Sequence, residues 1–184
     1  MIQEQVLKTV ISHLDYLKIP YMLAGAIAVN YYGKPRLTHD LDIIIELKTQ
    51  KIDKIVSLFQ KEFYISSDGI EDALKHKTMF NAIHHSTGLK IDFWLLKEER
   101  YDALRFKRRI KKKIFNKMIY LTTPEDLIIM KLKWYKDSKI EKHYADASGI
   151  CQIQKGELDL KYLRAWLSVQ STQKLFERII KETG

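Results

Sequence analysis

The stretch Asp40-Leu41-Asp42-Ile43-Ile44-Ile45 constrains this chain more than any other. Branched apolar residues in a short run favour a strand, and on a strand residues two apart share a face. Leu41, Ile43 and Ile45 then form an apolar face that must be covered, while Asp40 and Asp42 project together from the other. Leu89-Lys90-Ile91-Asp92-Phe93-Trp94-Leu95 follows the same rule, with Leu89, Ile91, Phe93 and Leu95 on the apolar face and Asp92 left opposite. If the two strands are neighbours, three carboxylates meet on one surface. Like charges that close resist joint ionisation, and a divalent cation suited to hard oxygen ligands, magnesium, removes the conflict. Taken pair by pair, solvated acids at a strand start and an exposed edge remain the default.

The segment upstream shifts that balance. Tyr21 to Ala24 reads as a short strand ending at Gly25, and Ala26 to Tyr32 as a short helix broken by Gly33 and Pro35. N–H groups at a helix start are unsatisfied donors that hold phosphate, and glycine permits close approach. A glycine turn alone is a tight turn by default. Followed by an acidic pair on the next strand, it describes a triphosphate site.

Elsewhere the pattern is ordinary. Val6, Val10, Leu14 and Leu17 mark an amphipathic first helix, and Ile52 to Phe59 continue helical spacing within Lys51 to Phe63. Ser66 to Lys77 is polar and reads as a loop or short helix. Strands are expected over Leu41 to Leu47, Phe80 to His84, Leu89 to Leu96 and Met118 to Leu121. Thr123-Pro124-Glu125-Asp126 is a helix start with a threonine cap, a first-turn proline and early acids. The fold class expected is α/β (α+β): a mixed sheet flanked by helices, with a helical C-terminal portion. The division expected is a core over residues 1–122 and a helical region over residues 123–184.

A formal net charge of +9 on 184 residues favours anionic partners without choosing among them. No apolar run approaches the roughly 20 residues that span a bilayer, and no secretory signal is apparent, so no membrane role is expected. The single cysteine, Cys151, forms no internal disulfide; it reads as a buried apolar residue in a reducing, cytoplasmic setting.

These residues resemble the nucleotidyltransferase superfamily of the DNA polymerase β type. Its signature is an apolar residue, Gly, then Gly or Ser, a spacer, and Asp-x-Asp on a strand. Here it reads Leu23, Gly25 and Ala26, then Asp40-Leu41-Asp42-Ile43. Tyr32 to Thr38 resembles small bacterial and archaeal members, including those of abortive-infection and toxin–antitoxin systems. Thr123 to Leu127 with Lys131 resembles their next helix, and Lys142 and Asp146 partly match the one after. Ala26 departs from the usual second Gly or Ser, and His143 stands where an acid is common.

The resemblance implies that Asp40 and Asp42 bind magnesium or manganese, and that Asp92 shares an ion and helps deprotonate the acceptor. Gly25 and Ala26 contact the β- and γ-phosphates of a nucleoside triphosphate, and Lys34, Arg36, Thr38 and Lys131 are further candidates for nucleotide binding. The reaction implied is transfer of a nucleoside monophosphate to a hydroxyl of RNA, tRNA or protein. A toxin role with a cognate antitoxin is its suggested setting. The competing reading is a catalytically silent module binding nucleic acid or a protein partner. A small-molecule acceptor of the antibiotic-inactivating kind is a third.

Other features are more equivocal. Arg105-Phe106-Lys107-Arg108-Arg109-Ile110-Lys111-Lys112-Lys113 reads equally as an RNA-backbone surface or a solvated strand or loop. Lys34, Arg36 and Lys131 have solvated alternatives. Tyr31 and Tyr32 read as packing residues, Trp134 and Trp166 as core, and His84-His85 as strand-end residues without a zinc set.

Overall fold

A computed structural model describes residues 2–183, and the chain forms two compact units. Of the described residues, the first comprises 2–26 and 38–121, the second 27–37 and 122–183. Residues 27–37, which the sequence reading leaves in the core, group with the C-terminal helices.

The elements run α1 (Ile2–Tyr16), β1 (Tyr21–Leu23), α2 (Gly25–Tyr32), β2 (Asp40–Ile45), α3 (Ile52–Phe59), β3 (Phe63–Ile65), α4 (Ser67–His76), β4 (Met79–His84), β5 (Lys90–Leu95), α5 (Arg100–Lys107), β6 (Ile110–Ile114), β7 (Lys117–Leu121), α6 (Pro124–Ser138), α7 (Glu141–Ile153), α8 (Leu160–Val169) and α9 (Gln173–Thr183). The mixed α/β class expected from the sequence is the class observed.

All strands of the first unit join one mixed sheet in the order β3-β4-β5-β2-β1-β7-β6. β2 pairs parallel with β5, and β1 parallel with β7; the other pairs are antiparallel. The central position of β2 follows from its composition, because Leu41, Ile43 and Ile45 are fully buried and need cover along their length. Phe93 of β5 continues that layer, with the Phe59 ring 5.7 Å away edge-on and the Phe80 ring stacked at 5.1 Å.

Some elements differ from the sequence reading. Ser66 to Lys77 holds a full helix, α4: the Ser66 hydroxyl accepts from Gly69 N at 3.2 Å, and Ile70 and Ala73 supply a buried stripe. The helix expected to reach Phe63 stops at Phe59, and Phe63 instead begins β3. Three residues pair there against β4, a run too short to show alternation. The basic run is divided between α5 and the edge strand β6.

In the second unit, α6 begins as the sequence predicts. Thr123 Oγ1 accepts from Asp126 N at 3.2 Å and donates to Asp126 Oδ2 at 2.8 Å. Tyr162 of α8 donates to Asp126 Oδ1 at 2.6 Å, and Glu125 accepts the Asp159 N–H at 2.9 Å, so the capping acids also fasten α8. Trp134 is not core, and Trp166 is half-buried. Trp134 is 37% exposed and lies against Lys131 and His143, because its position on α6 faces a charged cluster rather than an apolar layer.

Candidate active site

The β2–β5 register sets the site. Asp40 lies opposite Lys90, Asp42 opposite Asp92 and Ile44 opposite Trp94. Partners on parallel strands share a sheet face, so Asp40, Asp42 and Asp92 occur together, as their alternation predicts. Their environments differ. Asp40 is exposed, Asp42 half-buried and Asp92 buried. Burial raises the Asp92 carboxyl above its ordinary value, against the lowering effect of Lys90, while the charges of Asp42 and Asp40 add to the rise.

Lys90 and Trp94, which the sequence reading passed over, complete this face. Lys90 Nζ lies 3.0 Å from Asp92 Oδ2 and 3.8 Å from Asp40 Oδ1. Trp94, 43% exposed, donates its indole N–H to Asp42 Oδ1 at 3.2 Å. Both stand two residues from Asp92, and the period-two rule that selects the acid selects them as well.

Gly25 has φ +58, and a Cβ there would overlap the Asp42 carboxylate and lie 2.6 Å from Asp42 Cβ. Only glycine allows this approach, which brings the start of α2 against Asp42. The Ala24 N–H donates to Asp42 O at 2.9 Å and fixes the turn to the strand. Gly25 and Ala26 then begin the helix, where the first N–H groups have no intrahelical acceptor. Thr38 is occupied with the main chain of Asp40, donating to its O at 3.1 Å and accepting from its N at 3.3 Å.

The chemistry of the donors suits a hard cation. Asp42 and Asp92 offer carboxylate oxygens on the same face, and Asp92 Oδ1 is buried without a hydrogen-bond partner. As the side chains stand, no group of three or more His, Cys, Asp or Glu among the described residues is gathered to hold a metal ion. Lys90 engages two of the acids and Trp94 the third.

The remaining candidates lie in the second unit. Arg36 meets Asp146 in a fork, Nε to Oδ1 at 3.0 Å and Nη2 to Oδ2 at 3.2 Å. Lys131 Nζ lies 2.8 Å from Asp146 Oδ2, and both side chains are buried. Burial opposes ionisation of Asp146, but hydrogen bonds from Arg36 and Lys131 outweigh it and hold the carboxyl below its ordinary value. His143 is lowered by burial and then by the Lys131 charge. Lys34 is exposed. The ring centroids of Tyr31 and Tyr32 lie 4.9 Å apart, with Tyr32 buried and Tyr31 partly exposed.

The basic run is not one stripe. Arg105 pairs with Asp102, and Arg109 lies over the Phe106 and Tyr120 rings at 4.2 and 4.9 Å. Lys107, Lys111 and Lys113 are exposed. Cys151 is buried, its thiol pushed up to about 12 by burial. His84 ends β4 and meets Thr87 at 2.8 Å. No helix among the described residues is long and apolar enough to cross a membrane.

No family model matches the sequence, and no curated protein matches it. Solved structures do. The antibiotic-resistance factor ANT(2'')-Ia, determined in complex with adenylyl-2''-tobramycin, aligns with TM-score 0.62 at 10% identity, over 95% of this chain and 99% of that one. An antigenic nucleotidyltransferase-like protein from Paracoccidioides brasiliensis aligns with TM-score 0.59 at 18% identity, over 96% and 91%. A lincosamide antibiotic adenylyltransferase bound to lincomycin aligns with TM-score 0.50 at 11% identity, over 83% and 98%. The chain has the nucleotidyltransferase fold.

Proposed function

We propose that this protein transfers a nucleoside monophosphate from a nucleoside triphosphate to a hydroxyl acceptor, with magnesium or manganese as cofactor. The observation that carries this reading is the register of Asp42 against Asp92 on one sheet face, with the Gly25 turn closed onto Asp42. Fold alone assigns no activity; acids and phosphate turn together support one.

Asp40, Asp42 and Asp92 would hold the cation, which supplies charge to phosphate oxygens and lowers the pKa of the acceptor hydroxyl. The first-turn N–H groups at Gly25 and Ala26 bind the β- and γ-phosphates. Loss of the usual Ser or Gly at position 26 removes no backbone donor. Asp92 also helps take up the acceptor proton. The acceptor oxygen bonds to the α-phosphorus as the bond from that phosphorus to the bridging oxygen breaks, and pyrophosphate leaves.

Arg36 and Lys131 set two positive charges against the one of Asp146, so that cluster retains positive charge for an anionic ligand. Lys34 adds an exposed ammonium, and Thr38 contributes by holding the Asp40 main chain.

The acceptor we assign is an RNA, tRNA or protein hydroxyl, on the strength of the net charge and the exposed lysines within Arg105 to Lys113. A toxin role with an antitoxin partner is read from the resemblance alone. A small-molecule hydroxyl is the second reading, favoured by likeness along nearly the whole chain to a structure holding adenylyl-2''-tobramycin.

The test is transfer of α-labelled triphosphates, with magnesium, to cell RNA, cell protein and hydroxylated antibiotics, by wild type and by Asp40→Ala/Asp42→Ala. Label that reaches one acceptor class only with intact acids supports the reading and names the acceptor. No transfer, together with no magnesium-dependent nucleotide binding, defeats it and favours the silent binding module.

A further inference from the structure

The acidic face carries a cation of its own. Lys90 opens β5 as the register partner of Asp40, and its ammonium lies within reach of carboxylates on two strands, 3.0 Å from Asp92 Oδ2 and 3.8 Å from Asp40 Oδ1. The Asp92 side chain is 10% exposed. One of its oxygens is held by Lys90, while the other, Oδ1, is buried without a partner. A buried carboxylate so half-satisfied is prepared for a second cationic contact.

We infer that Lys90 is a built-in counterion that competes with the divalent cation for Asp92 and Asp40, and makes loading of that cation depend on the triphosphate. This rests on the nucleotidyl-transfer reading above. A divalent ion approaching the acids meets an ammonium already at hydrogen-bond distance from Asp92, and the two positive charges repel. Lys90 is free to leave, because its side chain is 40% exposed and flexible. When the ion enters alone, the displaced ammonium exchanges a carboxylate for water. When a triphosphate enters with it, phosphate oxygens replace the lost partner. The ion and the nucleotide therefore favour each other, and linkage requires that coupling to be reciprocal.

The substitution that removes this competition is mild for the fold, since Lys90 is partly exposed. Mn2+ binding is followed by electron paramagnetic resonance on the full chain, alone and with a non-hydrolysable nucleoside triphosphate analogue, corrected for ion held by free analogue. Wild type and Lys90→Arg are expected to bind Mn2+ weakly alone and about tenfold more tightly with the analogue. Lys90→Met is expected to bind Mn2+ alone about tenfold more tightly than wild type, with a smaller nucleotide enhancement than wild type shows. Lys90→Gln keeps a donor for Asp92 without the charge and must behave as Lys90→Met. If wild type binds Mn2+ and the two neutral variants bind it no more tightly, the competition is overturned while the nucleotidyl-transfer reading stands. If neither wild type nor Lys90→Met binds Mn2+, even with the analogue, both are overturned.

Discussion

Asp42 and Asp92 face the same side of the sheet as register partners on parallel strands, with 49 residues of chain intervening between them. Neutralising either should remove chemistry without unfolding the sheet. Asp92→Asn keeps the shape while removing a buried charge, so nucleotidyl transfer is expected to fall at least about 100-fold. Thermal melting should show a midpoint equal to or above wild type, because the repulsion from Asp42 and the burial cost of the charge are relieved.

Gly25 is the position least able to change. Gly25→Ala brings both a left-handed backbone penalty and an overlap with the Asp42 carboxylate. Denaturant unfolding should show a loss of about 1–3 kcal/mol. Nucleotide binding should weaken more than that of a variant at exposed Gly88, where a Cβ meets nothing within 4 Å.

Trp94→Phe removes a hydrogen bond to an acid while keeping an aromatic ring. The cost is expected in activity, at about threefold to tenfold, with little change in melting, since a single bond at a partly exposed site contributes roughly 1 kcal/mol. Steady-state transfer assays and melting curves separate the two effects.

Asp146 ties Arg36 to Lys131. Asp146→Ala leaves two buried or part-buried cations without this carboxylate and should cost about 3–5 kcal/mol. Adding Lys131→Met to that variant should recover part of the loss in urea unfolding. An additive double variant would deny the pairing its role.

The same carboxylate predicts a pH effect. Asp146 is held below its ordinary 3.8 in the fold, so its ionised form is the one folding favours. The stabilisation is complete at neutral pH. It begins to fade as pH drops toward that ordinary value, and is lost once pH passes below the folded-state value. Unfolding free energies followed into acid should show the gap between wild type and Asp146→Asn closing over that window.

Much of this was legible along the chain because it depends on neighbours in sequence. Alternation in Asp40 to Ile45 and in Lys90 to Leu95 separates apolar from acidic faces, and the Thr123 cap announces α6. The same alternation already held Lys90 and Trp94, whose importance appears only beside Asp40 and Asp42. Local pattern says which face a residue takes, since strand periodicity is a property of the backbone. Pairing across 49 residues is chosen by packing of the whole sheet, and no local rule encodes it. Tertiary structure alone therefore decided that β5 lies parallel to β2 in the register Asp42 to Asp92, that Lys90 bridges two acids, and that Arg36 and Lys131 share the single carboxylate of Asp146. It also turned a basic run, continuous in sequence, into an ion pair, a ring contact and separate exposed lysines. Side-chain charge is written in sequence, but the partner that neutralises it is set by distance in the fold.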